Sequence, residues 1–465
     1  MKRKLLLIHL LLFCVLVSAQ QLKIHPVPNN ILYKYHNDDF TVQVRLTGNE
    51  WCDLYEYKVL VDLDKPQEAS MVQFDFEGQV DMRIKVNNGI VHEVKVRPIH
   101  EQINYTKDGN YIYFTLSKPS KLSLEINGDR LRNLHIFANE IEKNVPDRND
   151  PNVIYFDAGF HTPADSPGNM FRIPSNKTVY LAPGAILKGK LVCNKVENVK
   201  IIGRGIILEA ERGVEITHSK NIEIDGITVI NPNHYTVYGG ESSGIRINNL
   251  KSFSCRGWSD GIDLMSCSDV NINDIFMRNS DDCIAIYSHR WNFYGDARNY
   301  SITNAILWAD VAHPINIGLH GDTSVDKNLI ENIHFKNIHI LEHDEDDRNY
   351  QGCMALSVSD HNFVQNITFE NVYVENIQEG QLLNLRVLFN EKYSKGKGLG
   401  IDNIVFKNIY YSGSGENTSI IEGFSDENII NNIKFENIII NGKKINSLKD
   451  MNVKIGKYVN EVTVK

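Results

Sequence analysis

Two aspartate motifs in neighbouring parts of the sequence carry the residue types best suited to acid–base chemistry. Asp260 lies in Ser-Asp-Gly-Ile-Asp at residues 259–263, and Asp281 and Asp282 lie in Ser-Asp-Asp-Cys at residues 280–283. Carboxyl groups held close together repel one another when ionised, so their pKa values separate and a protonated acid stands beside an ionised base. Such a pair can break a glycosidic bond. We therefore predict that Asp260, Asp281 and Asp282 are catalytic.

The interval between the two motifs predicts the fold that brings them together. Asp281 follows Asp260 by 21 residues, and one coil of a parallel β-helix takes roughly 20 to 35 residues. Strands of adjacent coils lie about 4.8 Å apart, which places the three carboxyl groups on one surface. A polar turn residue also recurs within apolar strand patterns, at irregular intervals that fit coils with loops of different length. These turn residues are Gly226, Asn249, Asp274, Asn337, Asn371, Asn408 and Asn437.

The repeat and the segment before it predict an all-β chain with two domains. Residues 20–145 contain short segments with the alternation of half-buried strands, separated by turn signals, which favours a sandwich. Residues 146–465 contain the coils. The predicted fold is a right-handed parallel β-helix preceded by a small N-terminal β-sandwich. In the β-helix we expect stacked Asn side chains to hydrogen-bond between coils, while Ile, Val and Phe fill the bore.

Residues 1–19 have the pattern of a signal peptide, which predicts an exported protein that is secreted, periplasmic or associated with the cell surface. Three basic residues precede an apolar run at residues 5–17, and small residues follow it. No later stretch approaches the ~20 apolar residues of a membrane span. The chain has 49 basic and 58 acidic residues, a net charge of −9 and no long basic run, which argues against nucleic acid as a partner. The predicted partner is a polysaccharide or oligosaccharide, and the oligomeric state is left open.

Five further residues are predicted to contact the substrate. His320 lies in Gly-Leu-His-Gly at residues 318–321, where glycines leave the backbone free to approach a ligand. Arg290 and Trp291 lie in the longer loop after the acidic pair, where an exposed aromatic ring can stack on a sugar. His234 and Arg386 complete the predicted set.

Neither a metal nor a cofactor is predicted. The cysteines are scattered without the spacing of metal ligands. The acidic run at residues 343–347 offers oxygen atoms to calcium, but a solvated loop is the preferred interpretation of such a run.

These motifs resemble those of the β-helical inverting glycoside hydrolases, namely the polygalacturonase family (family 28) and the dextranase and isopullulanase family (family 49). The resemblance covers about residues 150 to 440. It implies that Asp281 is the general acid, that Asp260 and Asp282 activate the hydrolytic water, and that His320 assists near the leaving group. No covalent intermediate is implied, and the acid and base carboxyl groups are expected about 6.5 to 9.5 Å apart, with the water between them.

One departure from the polygalacturonase pattern predicts a neutral substrate. The polygalacturonases carry Arg-Ile-Lys in the coil after Gly-His-Gly, where the cations hold a uronate carboxylate. Residues 353–356 of this chain are Cys-Met-Ala-Leu, and Met354 and Leu356 are aligned with the two cations. Residues 307–314 and 382–386 and the N-terminal sandwich resemble the dextranase family instead.

Three alternatives stay open on the sequence. One is a polygalacturonase whose carboxylate contact has moved to Arg290 or Arg386. Another is a β-helical polysaccharide lyase, which would need calcium and a basic catalytic residue. The last is a non-catalytic glycan-binding β-helix, as in a surface adhesin.

Overall fold

The computed structural model describes residues 20–163 and 168–465, and it consists almost entirely of strands. The predicted signal peptide lies outside the described residues. Two sheets form the N-terminal part. The first contains Gln21–Ile24, Tyr57–Val61, Gln67–Glu77, Val94–Arg97, Ser120–Ile126 and Asp129–Glu140. The second contains Phe40–Leu46, Cys52–Asp53, Val80–Val86, Tyr105–Asp108 and Tyr111–Leu116.

The two N-terminal sheets pack face to face around one apolar core. Val44 and Met82 from the second sheet and Phe74, Leu124 and Leu134 from the first belong to the same buried cluster. In the second sheet, Phe40–Leu46 and Val80–Val86 alternate buried and more exposed residues, as the sequence pattern predicts for a sheet with one face turned inward. The predicted β-sandwich is confirmed.

The parallel β-helix begins with the strand Val153–Phe156 and also contains two large sheets. The 11-stranded sheet consists of Met170–Arg172, Lys190–Asn194, Val214–Thr217, Val237–Gly240, Ile262–Met265, Ile284–Tyr287, Ile315–Ile317, Met354–Val358, Leu383–Val387, Ser419–Glu422 and Val453–Ile455. The 18-stranded sheet consists of Val153–Phe156, Gly159–His161, Thr178–Leu181, Ala185–Leu187, Glu197–Gly203, Ile206–Leu208, Lys220–Asp225, Thr228–Ile230, Ser243–Asn248, Lys251–Phe253, Ser268–Ser280, Ala297–Val311, Asn328–Glu342, Asn362–Val374, Gly400–Tyr411, Ile430–Ile440, Lys443–Lys444 and Val462–Val464.

Short elements complete the chain. His289–Arg290 pairs with Phe293–Tyr294, and Gly380–Gln381 pairs with Glu416–Asn417. Three 3₁₀ turns are Tyr33–Tyr35, Ile99–Glu101 and Leu448–Asp450. Among residues 20–163 and 168–465, no helix is long and apolar enough to cross a membrane.

Identical side chains stack from coil to coil, as the repeat predicts. The Asn337 amide donates to the Asn304 side chain at 3.0 Å, and the Asn371 amide donates to Asn337 at 2.9 Å. Inside the bore, the Phe335 and Phe369 rings are nearly parallel with their centroids 5.0 Å apart. These ladders hold successive coils in register, so residues at one coil position lie side by side along the β-helix.

A buried ion pair attaches the N-terminal domain to the coils that carry the aspartate motifs. The Arg278 guanidinium donates to both carboxylate oxygens of Asp310, at 2.8 and 3.1 Å, and neither side chain is exposed. The same guanidinium donates to the Asn133 side chain and the Arg130 carbonyl of the N-terminal domain. Removing one partner of a buried pair costs about 3–5 kcal/mol. The guanidinium of this pair therefore also holds the N-terminal domain against the coils that carry the aspartate motifs.

Candidate active site

The three predicted catalytic aspartates lie where two neighbouring strands of the 11-stranded sheet begin. Asp260 precedes Ile262–Met265, and Asp281 and Asp282 precede Ile284–Tyr287, which pairs with it in parallel. The structure brings them together, because their nearest carboxylate oxygens all lie within 4.8 Å of one another. All three line one pocket of about 340 Å³.

A glycine allows the two coils to approach closely at this point. The Gly261 amide donates to the Asp282 carbonyl at 2.8 Å, which extends the strand pairing into the loops. A Cβ atom on Gly261 would lie 2.3 Å from the Cys283 carbonyl oxygen. Any other residue would therefore push the two aspartate motifs apart.

Asp282 is held as a carboxylate by three close donors, and the Tyr287 hydroxyl donates a fourth, longer hydrogen bond at 3.4 Å. The His313 ring and main-chain amide approach one oxygen at 2.7 and 3.1 Å, and the Asn316 amide donates to the other at 2.7 Å. Burial by itself raises the pKa of Asp282, but the charge and hydrogen bonds of His313 and Asn316 lower it below its usual value overall.

His313 is the cationic partner of Asp282. It precedes the strand Ile315–Ile317, whose pairing with Ile284–Tyr287 sets His313 beside Asp282. The other ring nitrogen faces the Tyr350 carbonyl, so both nitrogens face acceptors and both carry protons. Burial lowers the pKa of His313, but the Asp282 carboxylate raises it to about 9.

Asp281 has a different environment from its neighbour. Burial and the charge of Asp282 raise its pKa to about 6, although two main-chain amides oppose this shift. These amides belong to Trp258, at 3.0 Å, and to Asp282, at 3.1 Å. Asp281 is only partly buried and faces the pocket. It is suited to hold a proton that a substrate can take.

Asp260 forms a second acidic pair with Asp263, which is fully buried on the adjoining strand. One oxygen of Asp260 and both of Asp263 have no hydrogen-bond partner among the described residues, and Arg290 approaches Asp263 only to 3.7 Å. Burial raises the pKa of both groups well above the usual value, and for Asp260 the charge of Asp263 adds to this shift. A proton on one of the two groups removes their repulsion.

The pocket around these groups is strongly acidic. Eight carboxyl groups line it, against two side chains that are permanently cationic, Arg290 and Lys392. The remaining acidic residues are Asp64, Asp344, Glu345, Asp346 and Asp347. Residues 344–347 therefore form a wall of the pocket, whereas the sequence favoured a solvated loop for this run. Burial raises the pKa of Asp344 to about 6.

The structure separates the five residues predicted to contact substrate. His320 and Arg290 line the pocket, and burial followed by the charge of Arg290 lowers the pKa of His320 to about 3. Trp291, Arg386 and His234 lie outside the described lining. Trp291 is 52% exposed and lies beside Arg290. The Arg386 guanidinium donates to the main-chain carbonyl of residue 349 at 2.9 Å. The His234 ring accepts a hydrogen bond from the main-chain amide of residue 235 at 3.0 Å. Substrate contact stays a prediction for all five.

One detail of the sequence alignment is wrong. Met354 and Leu356 point into the bore, where both are fully buried in the apolar core. The strand alternates, so Ala355, which pairs beside Asn316, the amide donor to Asp282, faces outward. A slip of one residue turns every side chain of a strand to the other face. The outward residues Ala355 and Ser357 are also uncharged, so the strand still lacks a cation.

The three carboxyl groups lie close enough to contact one ligand. Their nearest oxygens lie within 4.8 Å of one another, so Asp260, Asp281 and Asp282 could also hold a divalent cation. The separation of about 6.5 to 9.5 Å between the whole acid and base carboxyl groups stays a prediction.

Sequence reasoning missed three residues of this site. His313 and Asn316 hold Asp282, and Trp258 donates its amide to Asp281. His313 and Asn316 lie about one coil after the acidic pair, so counting coils forward from Asp282 would have found them. Trp258 immediately precedes the first motif.

The structure has the architecture that the resemblance to the β-helical glycoside hydrolases implies, a parallel β-helix with acidic groups at the start of neighbouring strands. The model of glycosyl hydrolases family 28 matches residues 181–457, more than half of the chain, and the chain belongs to this family. The resemblance stated from the motifs is thus confirmed.

Individual relatives are distant. Exopolygalacturonase B of Aspergillus niger is 22% identical over 245 residues, 49% of this chain and 52% of that protein. The chain thus spans about half of the length of the curated relatives that it matches. Dex49A from Penicillium minioluteum has a similar fold, with a TM-score of 0.58 and 16% identity over 95% of this chain and 96% of that one. The family 28 exopolygalacturonase of Yersinia enterocolitica gives a TM-score of 0.46 at 11% identity, covering 83% and 96%.

Proposed function

We propose that this chain is an exported enzyme that hydrolyses glycosidic bonds in a neutral polysaccharide, with Asp281 as general acid and Asp282 as base. The observation that carries the proposal is the contrast between these adjacent carboxyl groups. Asp282 is held ionised by His313 and Asn316, whereas the pKa of Asp281 is raised to about 6. An acid and a base side by side in one pocket are the groups that this reaction requires.

In the proposed step, Asp281 gives its proton to the glycosidic oxygen as the bond from that oxygen to the anomeric carbon breaks. A water molecule attacks this carbon from the opposite face, and its proton passes to Asp282, while the Asp260 carboxyl group hydrogen-bonds to the water. Asp281 ends ionised and Asp282 ends protonated, so the protons balance. Inversion of the anomeric carbon rests on the family resemblance and not on the carboxylate spacing.

The charge of the pocket supports a neutral substrate. At 4 Å and an effective dielectric constant of 20, two like charges repel by about 4 kcal/mol, and every 1.4 kcal/mol or so is a factor of ten. Arg290 already faces Asp263, and Arg386 lies outside the described pocket lining. A polygalacturonase with a relocated contact is the second candidate, because the curated relatives are exopolygalacturonases.

The test is a comparison of polymers at one pH. Purified protein is incubated with dextran, pullulan, galactan and polygalacturonate, and the reducing ends are counted. We expect cleavage of a neutral polymer at least about a hundredfold faster than of polygalacturonate, the loss that 2.8 kcal/mol or so of repulsion gives. Faster cleavage of polygalacturonate would replace the first candidate by the second.

Four further measurements separate the remaining alternatives and test the proposed step. Absorbance of an unsaturated product would identify a lyase, and glycan binding without cleavage would identify a non-catalytic β-helix. NMR of the first product gives its anomer, which we expect to be inverted. Activity should survive EDTA, because the proposed step uses no metal.

A further inference from the structure

The pocket is not built by the β-helix alone. Residues 62–66 connect two strands of the N-terminal sandwich, Tyr57–Val61 and Gln67–Glu77. From this loop, Leu63 and Asp64 line the same pocket as the catalytic aspartates. The N-terminal domain thus supplies side chains to the site.

Main-chain hydrogen bonds fix this loop beside the acid. The Leu63 amide donates to the Ser280 hydroxyl at 3.0 Å, and Ser280 directly precedes Asp281. The Asp62 amide donates to Asp310 at 3.2 Å, the same carboxylate that Arg278 holds. The Asp62 side chain lies 3.3 Å from the guanidinium of Arg130. The loop is anchored at one end while the side chains of Leu63 and Asp64 are left exposed.

Trp258 lines the same pocket, three residues after Cys255, whose thiol donates to the Val61 carbonyl next to the loop at residues 62–66. Trp258 is 68% exposed, and its backbone adopts φ +60°, a left-handed conformation that costs free energy for a bulky residue. This conformation directs the Trp258 amide to Asp281 at 3.0 Å. An exposed aromatic face beside the acid is suited to pack against a sugar ring.

The identity of the acid assigns a role to these neighbours. A general acid protonates the oxygen of the leaving group, so the leaving sugar lies on the side of Asp281. We propose that Leu63 and Asp64 of the N-terminal domain, together with Trp258, form the subsite that binds the leaving-group sugar. Leu63 and Trp258 offer apolar contact, and the Asp64 carboxylate accepts hydrogen bonds from sugar hydroxyl groups. The inference rests on the proposed function, because it takes Asp281 as the acid.

Two substrates separate this role from a structural one. The first is whichever of dextran, pullulan, galactan and polygalacturonate the wild type cleaves fastest. The second is the glycosyl fluoride of the shortest oligosaccharide of that polymer that the wild type hydrolyses. Fluoride leaves readily and is too small to contact Leu63, Asp64 and Trp258 as a sugar would, so its departure does not depend on the proposed subsite.

The variants are the double change Leu63→Ala with Asp64→Ala, and the single change Trp258→Ala. Both leave the main-chain anchors in place. Lys65→Ala is the matched control, because Lys65 is exposed in the same loop and is not part of the described pocket lining. Thermal melting of each variant checks that the fold is intact.

We expect kcat/KM on the polymer to fall about tenfold or more in both test variants, mainly through KM, which corresponds to about 1.4 kcal/mol of lost binding. On the glycosyl fluoride the change should stay below about threefold, and Lys65→Ala should match the wild type on both substrates. An unchanged kcat/KM on the polymer, or an equal fall on both substrates, would overturn the subsite. A wild type that cleaves none of the polymers would instead overturn the proposed function and this inference with it.

Discussion

Two acidic pairs face the same pocket from neighbouring coils, and their surroundings differ. Asp282 lies among donors, with His313 and Asn316 on its oxygens. Asp260 and Asp263 are equally buried, yet three of their four oxygens have no hydrogen-bond partner among the described residues. Burial raises the pKa of all these groups, but only the donors around Asp282 reverse that effect.

The comparison shows that hydrogen-bond donors, and not the extent of burial, determine which carboxyl groups of this site are ionised. A buried carboxyl group without donors keeps a proton, and one with a cationic partner loses it. Asp281 lies between these limits, because it has two amide donors but also the negative charge of Asp282 beside it.

Removing either member of the acid–base pair should have the largest effect. We expect Asp281→Asn and Asp282→Asn each to lower kcat on polymer by about a thousandfold or more, since proton transfer by a positioned group contributes roughly 10² to 10⁴ and charge effects add to it. Asp326→Asn, an exposed position outside the described pocket lining, is the control for the same chemical change. Near-normal turnover in Asp281→Asn would reassign the acid.

Removing the donor of Asp282 should have the next largest effect. Without the imidazolium, the pKa of Asp282 rises, so less of the base is ionised. In His313→Gln we expect activity at neutral pH to fall about ten- to a hundredfold and the acidic limb of the pH–rate profile to move to higher pH. His334→Gln is the control, because His334 pairs with Glu370 in the other, 18-stranded sheet. A lower rate without any movement of the acidic limb would show only a structural role for His313.

The pH dependence of the wild type follows from the same contrast. Asp281 must be protonated, and its pKa is raised to about 6, so kcat/KM should fall about tenfold per pH unit above that value. Asp282 must be ionised, and its lowered pKa keeps it so well into the acidic range. The folded-state pKa of Asp281 exceeds its unfolded value, so its stabilising contribution is complete in acid and lost as pH rises through about 6. Activity that is constant from pH 5 to pH 8 or so would contradict the assignment.

The smallest effect is expected for Asp263. Asp263→Asn replaces a buried acid by a neutral amide that can still donate to Asp260, so activity should change less than about tenfold. Because Asn is uncharged without taking up a proton on folding, the melting temperature should rise at neutral pH. A drop in activity as large as that of Asp282→Asn would mean that Asp263 takes part in the reaction directly. Melting curves and rates on one neutral polymer give both readings.

Local patterns predicted most of the fold and the centre of the site. The recurring Asn and apolar positions determine the coils, and the 21-residue interval between Asp260 and Asp281 places them in neighbouring coils. The sequence predicts less well which side chains of a strand point into the bore, as Met354 and Leu356 show. Both faces of this strand are buried, so apolar residues on both faces hide the alternation.

Contacts between distant parts of the sequence could not be read in this way. His313 can be assigned to the site only when the pairing of Ile284 with Ile315 is known. Leu63 hydrogen-bonds to Ser280, which lies 217 residues away in the sequence. The acidic run at residues 344–347 has the composition of a solvated loop, and its place in the pocket wall depends on how the coils stack.

The central claim is that Asp281 holds the catalytic proton while Asp282 is the base. The most direct test is the rate of Asp281→Asn and Asp282→Asn on a glycosyl fluoride of the sugar that the wild type releases, since fluoride needs little help from an acid in order to leave. We predict that Asp281→Asn recovers much of the wild-type rate on this substrate, whereas Asp282→Asn stays inactive on both the fluoride and the polymer. Recovery in Asp282→Asn and not in Asp281→Asn would contradict the account by exchanging the two roles.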